Sequence, residues 1–288
     1  VEAGGCPAAV TGPQPVQRAC VGAAVAAACG RPAVFLCGDE REVQVLPADL
    51  ETLTGRRPVT LLGREWQFRP GAVGSRDWER SRLAALYALA QGDAPVVVAT
   101  ADGLMARTLP PETLRSLAIT LEVGGQAELG ALAEQLLSAG YTRCEQVEGV
   151  GQFALRGGIL DVFSPLMDQP VRCEFFDDEI DSMGAFDPGT QRRTRNVSSA
   201  RILPAAEVLP HCAPGGLPGL ADQLIALAEK LAKKQKTEAI VQTLREDAER
   251  LRSGAAPGAA DRYLAAIYPT VTAGVHYLPP DAVVFLSE

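Results

Sequence analysis

Short apolar runs constrain this chain most. Pro32-Ala-Val-Phe-Leu-Cys37, residues 59–62 and Val96-Val-Val-Ala-Thr100 have the length and composition of strands buried inside a sheet. Helix-patterned stretches separate them, at residues 14–29, 40–53 and 76–91, the last with Leu83, Leu86, Tyr87 and Leu89 on one face. Strands alternating with helices point to a parallel, doubly wound α/β sheet over residues 1–111. The pattern then changes. After one helix at 126–139, strand signals crowd together at 141–148, 152–156, 159–163, 171–176 and 200–203, with Gly157-Gly158 and Ser164-Pro165 as turns. Residues 112–206 therefore read as an inserted, β-rich α+β domain. Residues 207–288 return to helix, with Leu220, Leu224, Leu227 and Leu231 on one face, continued by Ile240, Leu244 and Leu251. All four lysines, Lys230, Lys233, Lys234 and Lys236, fall in that stretch and read as a solvated helix face. A last strand run, Asp281-Ala-Val-Val-Phe-Leu-Ser287, is placed to rejoin the first sheet, which makes the α/β domain discontinuous.

Composition removes several function classes. In 288 residues, 47% are hydrophobic and 22% charged, which excludes a disordered tail or fibre. A net charge of −8 argues against a stand-alone nucleic-acid binder. DNA contact is expected to be weak or none, a local patch such as Arg192, Arg193 and Arg195 leaving room for weak contact. The seven cysteines show no C-x-x-C pair, and His211 and His276 are the only histidines, so no zinc set is laid out and His211-Cys212 reads as incidental. Unframed cysteines in odd number fit a reducing cytoplasm. The apolar run 21–29 is too short to span a bilayer and lacks a basic leader, so no membrane or signal segment is expected. Val1 opens the chain, and methionine occurs only at 105, 167 and 183, so the sequence reads as a piece of a longer protein.

The first strand-turn-helix is where an α/β nucleotide domain holds phosphate. A working loop follows G-x-x-x-x-G-K-[ST], with backbone N–H groups around the phosphates, a lysine on the terminal oxygens and a hydroxyl on Mg²⁺. Here Thr11-Gly12 begins the tail of such a motif. Gln14 then stands for the second glycine, Pro15 for the lysine and Val16 for the Ser/Thr. Pro13 and Pro15 also remove two N–H donors. The loop is thus degenerate, and no ATP hydrolysis is expected. Asp39-Glu40 reads as a solvated helix start. Neither G-x-S-x-G nor H-E-x-x-H occurs. The acids Asp177-Asp178-Glu179 with Asp181 read as a solvated turn. No catalytic residue, metal ligand or cofactor is expected.

One surface stands out. Along the strand 171–176, side chains alternate faces. Val171, Cys173 and Phe175 form an apolar face, leaving Arg172, Glu174 and Phe176 on the other. An aromatic beside arginine has the composition of an interface hot spot, and Arg156, just before Gly157-Gly158, is placed to lie on a neighbouring strand. The bland alternative packs Phe176 under a loop and pairs Arg172 with Glu174 or an acid of the next turn.

Several stretches carry a resemblance: Gly140-Tyr-Thr-Arg-Cys-Glu-Gln-Val-Glu-Gly149, Gly151-Gln-Phe-Ala-Leu-Arg-Gly-Gly-Ile-Leu-Asp-Val-Phe163, Val171-Arg-Cys-Glu-Phe-Phe-Asp-Asp-Glu-Ile-Asp-Ser182 and Phe186-Asp-Pro-Gly-Thr-Gln-Arg192. Together they closely resemble the N-terminal region of the bacterial transcription-repair coupling factors (the Mfd family), itself similar to the excision-repair protein UvrB. Gly63-Arg-Glu-Trp66 and residues 96–108 also fit. Unlike UvrB, the chain lacks the intact phosphate loop and, over residues 63–78, the Tyr-rich hairpin that probes damaged DNA. The resemblance implies a degenerate, helicase-like domain 1 split into 1a (1–111) and 1b (207–288), with domain 2 (112–206) inserted. It implies UvrA as the partner of domain 2, contacted by Arg156, Arg172 and Phe176. It also implies that domains masking this surface, binding RNA polymerase and driving translocation lie C-terminal to these residues. The alternative is a fragment of a UvrB-type, ATP-dependent damage-recognition protein.

Overall fold

A computed structural model of the protein describes residues 7–63 and 77–287. They fall into two compact units. Residues 7–63, 84–107 and 272–287 form one, and residues 77–83 and 108–271 the other.

The chain begins α1 (Pro15–Cys29), β1 (Ala33–Cys37), α2 (Glu40–Thr54), β2 (Val59–Leu61), α3 (Asp77–Gln91), β3 (Val96–Thr100) and α4 (Ala101–Met105). β1 lies between β3 and a strand from the far end of the chain, Val283–Leu286, and β2 flanks β3; every pairing is parallel. The parallel sheet read from the apolar runs is present, and the terminal run rejoins it. Local chemistry sets the helix ends. Asp39 caps α2 by accepting the Glu42 N–H at 2.9 Å, which makes it the solvated helix start expected. Gly30 and Gly55 close α1 and α2 in the left-handed region, at φ 61 and 69. One sheet face, Ala33, Phe35, Cys37, Val96 and Val98, packs with Ala19 of α1 and Val43, Leu46 and Leu50 of α2. Burying a side chain such as Leu50 contributes about 1.5–3 kcal/mol. At Gly22 α1 comes close enough to β1 that a β-carbon would sit 2.3 Å from the Phe35 ring. The face of α3 read from the sequence, Leu83, Leu86, Tyr87 and Leu89, is buried.

The chain continues with α5 (Pro111–Leu117), β4 (Ile119–Glu122), α6 (Leu129–Ser138), β5 (Thr142–Arg143), β6 (Gln152–Arg156), β7 (Ile159–Val162), β8 (Val171–Phe176), β9 (Glu179–Phe186), β10 (Arg193–Asn196) and β11 (Ser199–Ile202). Then come α7 (Gly216–Leu231), α8 (Glu238–Arg252), α9 (Leu264–Ile267) and the strand at 283–286, now β12. Six strands form one sheet in the order β10-β9-β8-β7-β6-β5, antiparallel except for the short β5–β6 pair, while β4 and β11 form a separate antiparallel ribbon. Strand periodicity gives the six-stranded sheet two distinct faces. Phe153, Leu160, Val162, Val171, Cys173, Ile180 and Met183 share one core with Leu132 and Leu136 of α6 and Ala200 and Ile202 of β11. Ala154, Phe163 and Phe186, with Val147, make a smaller core on the other face.

Several elements differ from the sequence reading. The strand expected at 141–148 is only Thr142–Arg143, because the Glu148 and Gly149 N–H groups bond the Gln152 side chain, each at 2.9 Å, instead of a strand. The acids at 177–181 are a turn only at Asp177-Asp178; Glu179 already opens β9. A register shift after Glu174 puts Ile180 and Met183, three apart, on the core side, which hides the period-2 signal. Finally, α7 ends at Leu231, so only Lys230 is helical, and Leu227 and Ile240 are exposed rather than on the buried face.

Replacing Gly22 by valine should force α1 off β1. We expect a loss of about 1–3 kcal/mol, read as a lower urea midpoint with an unchanged slope.

Candidate protein-binding surface

The face of the six-stranded sheet that carries the smaller core also carries the expected arginines. β6 and β7 are joined by Gly157-Gly158, with Gly157 at φ 58. The Phe175 N–H donates to the Gly158 carbonyl at 2.7 Å, and a β-carbon on Gly158 would lie 2.9 Å from the Phe175 oxygen. The second glycine is therefore needed for the turn to sit this close to β8. Register then lines up Ala154, Asp161, Arg172 and Gly184 across β6 to β9, with Arg156, Ile159, Glu174 and Ser182 as the adjacent row.

Asp161 is the residue the sequence reading missed. Its side chain is fully buried in mid-strand. A buried carboxylate is costly unless charged donors surround it. Arg172 supplies two, Nε to Oδ1 at 2.7 Å and Nη2 to Oδ2 at 2.8 Å, and Arg156 Nη2 adds a third to Oδ2 at 2.7 Å. The signal was available: in Ile159-Leu-Asp-Val-Phe163 an acid interrupts a run of otherwise apolar residues.

The two arginines are held differently. Arg172 is only 22% exposed, and its guanidinium lies 4.7 Å over the Phe186 ring. Its Nη2 also reaches the Gln191 side-chain oxygen at 3.4 Å. Hydrogen bonding to Asp161 raises its pKa above the ordinary arginine value. Gln191 adopts φ 60 and donates from Nε2 to the Val147 and Pro188 carbonyls at 3.0 and 2.8 Å, tying the Arg172 side chain to two loops. Arg156, by contrast, is 48% exposed. Arg172 thus pairs with Asp161 of the neighbouring strand, not with Glu174 or an acid of the next turn. Glu174 instead accepts the Ser182 hydroxyl at 2.9 Å.

Phe176 is 76% exposed, so it does not pack under a loop. Phe175 points into the core, and Asp177 turns the chain at φ 51. The β-face reading of 171–176 is therefore what the structure has: Val171 and Cys173 buried, Arg172 and Glu174 part-exposed, Phe176 in solvent. In the basic patch, Arg193 crosses over Gly184 and donates to Ser182 Oγ at 3.3 Å.

In the stretch expected as a degenerate phosphate loop, Gly12 adopts φ 93, Gln14 is the N-cap of α1 and Pro15 its first residue, followed by Val16. The Gln14 N–H is taken by the Gln17 side chain at 2.8 Å. His211 and Cys212 lie in a short 3₁₀ turn, where burial lowers the histidine pKa and raises that of the thiol. Among the described residues, no group of three or more His, Cys, Asp or Glu is arranged to hold a metal ion, and no helix is long and apolar enough to cross a membrane. Most of the 63–78 stretch lies outside the described residues.

Residues 119–207, from β4 past β11, match the UvrB interaction domain. The whole arginine–Phe176 face lies inside that match. Over 269 residues, 92% of this chain, the sequence is 30% identical to a transcription-repair-coupling factor of Bacillus subtilis, and it covers 23% of that protein. It is 35% identical over 233 residues, 77% of this chain, to the Myxococcus xanthus factor, covering 19% of it. The Escherichia coli factor is 34% identical over 178 residues, 61% of this chain and 15% of its own length. The chain is homologous to transcription-repair-coupling factors. It spans about a fifth of the length of these coupling factors. The resemblance read from the sequence motifs therefore stands.

The different anchoring of these side chains has a stability consequence. Asp161→Ala should cost about 3 kcal/mol, because it strands Arg172 in a mostly buried position. Phe176→Ala should stay within about 0.5 kcal/mol of the parent. Urea unfolding of the two variants side by side checks both.

Proposed function

We propose that this chain is a non-catalytic recruitment module that binds UvrA and so brings nucleotide excision repair to stalled RNA polymerase. The observation carrying this reading is the coincidence of the UvrB interaction domain match with an exposed aromatic, Phe176, on the same sheet face as a half-exposed arginine, Arg156. Aromatic and arginine anchors dominate interface energetics. Arg156 and Phe176 are the contact residues. Arg172, expected as a third, contributes to the same surface from beneath.

In this reading the chain comprises domain 1a (1–111), domain 2 (112–206) and domain 1b (207–288), domain 1 being a helicase-like fold that has lost its nucleotide site. Pro15 stands where the phosphate-binding lysine is required, and Val16 where the Mg²⁺-binding hydroxyl is required. Polymerase binding, translocation and masking of the UvrA surface belong to other parts of the longer coupling factors. No cofactor is used, and the working compartment is the cytoplasm.

Arg156→Ala and Phe176→Ala should each weaken UvrA binding by roughly 1–4 kcal/mol in calorimetry while the protein stays folded. Undiminished binding by the double variant would remove the assignment. Separately, titration with Mg-ATP should give no heat of binding; a measurable affinity would favour the UvrB-type ATP-dependent reading instead.

A further inference from the structure

We infer that Asp161 is a positioning residue for partner recognition: held by Arg172, it pins Arg156 in the pose that meets a carboxylate on the partner. This inference rests on the proposed UvrA reading and adds to it a residue that never touches the partner.

Charge and geometry carry the inference. One buried carboxylate serves two guanidinium groups, so the cluster keeps one net positive charge. Arg172 cannot present that charge. Both its bonds to Asp161 are short and parallel, its plane is covered by Phe186, and little of it reaches solvent. The surplus therefore appears at Arg156, whose Nη2 is fixed at 2.7 Å to Asp161 while nearly half of the side chain stays open. A free arginine gives up rotamer freedom when it binds. One already held at a single nitrogen has lost part of that freedom in the unbound protein. The remaining N–H donors of the guanidinium match a carboxylate, which can accept two parallel bonds. Phe176, exposed on the same sheet face, supplies the apolar half of the contact. Arg172 and Asp161 thus act through Arg156, and the partner is expected to present an acidic group beside an apolar socket.

A double-mutant cycle tests this. UvrA binding is measured by calorimetry for the parent, Arg156→Ala, Asp161→Asn and the double variant, at a temperature where melting curves show each folded. Asp161→Asn should weaken binding about three- to tenfold, the equivalent of ordering one long side chain. In that background Arg156→Ala should cost clearly less than it does in the parent. An equal cost in both backgrounds overturns the inference, because a purely structural Asp161 would lower stability without coupling to Arg156. If Arg156→Ala and Phe176→Ala leave binding intact, the UvrA reading itself fails. If they weaken it and the coupling is absent, only the role of Asp161 fails. A second measurement needs no variant at Asp161. In ¹⁵N NMR of the unbound parent, the Arg156 guanidinium should show hindered rotation about Nε–Cζ, and free rotation there overturns the pinning.

Discussion

The fold of the β-rich unit turns on a carboxylate that has no business in a core. Asp161 sits in mid-sheet, fully buried, and only the fork of Arg172 and the arm of Arg156 make that position tenable. The requirement propagates. Arg172 must lie opposite Asp161, so the β7–β8 register cannot slip. Arg156 must reach back across its hairpin, so β6 has to end in a tight turn, which Gly157 and Gly158 provide. Phe186 and Gln191 must cover the far side of the guanidinium, which draws the turn after β9 toward Val147.

The parallel-sheet unit is stabilised differently. Its core is plain hydrophobic packing, with α1 and α2 laid on Phe35 and its neighbours and Gly22 allowing α1 a close approach. At the start of α1 stand two prolines and a glutamine, Pro13, Pro15 and Gln14, and the Gln14 N–H is satisfied internally by the Gln17 side chain.

Legibility followed the strength of local signals. The apolar runs at 33–37 and 96–100 were legible as strands because they are short and bounded by glycine and proline. Val171–Phe176 was legible down to its faces, since period 2 assigns Phe176 outward and Cys173 inward without further information. β9 was not legible, because the register shift at Glu174 breaks its alternation and its first residues look like a solvated acidic turn. β4 and β10 were missed as well: short strands with mixed or wholly exposed residues have no periodic signature of their own. The three contact candidates came from composition and resemblance, yet sequence gave them equal standing. The structure separates them into an exposed aromatic, a half-held arginine and an arginine already committed to Asp161.

By itself, then, the sequence determined the class of the strongly patterned segments, the departure of residues 12–16 from the phosphate-loop pattern and the shared face of Arg172 and Phe176. These are local properties, set by side-chain period, by proline's missing N–H and by the chemistry of single residues. Only the tertiary structure decided which charges meet. Asp161 and Arg172 are eleven residues apart in the chain and become partners only when β7 and β8 align. The return of β12 to β1 is a non-local choice of the same kind, joining strands at opposite ends of the chain. Pairing between distant strands follows from where the whole core can close, and no local window of sequence contains that information.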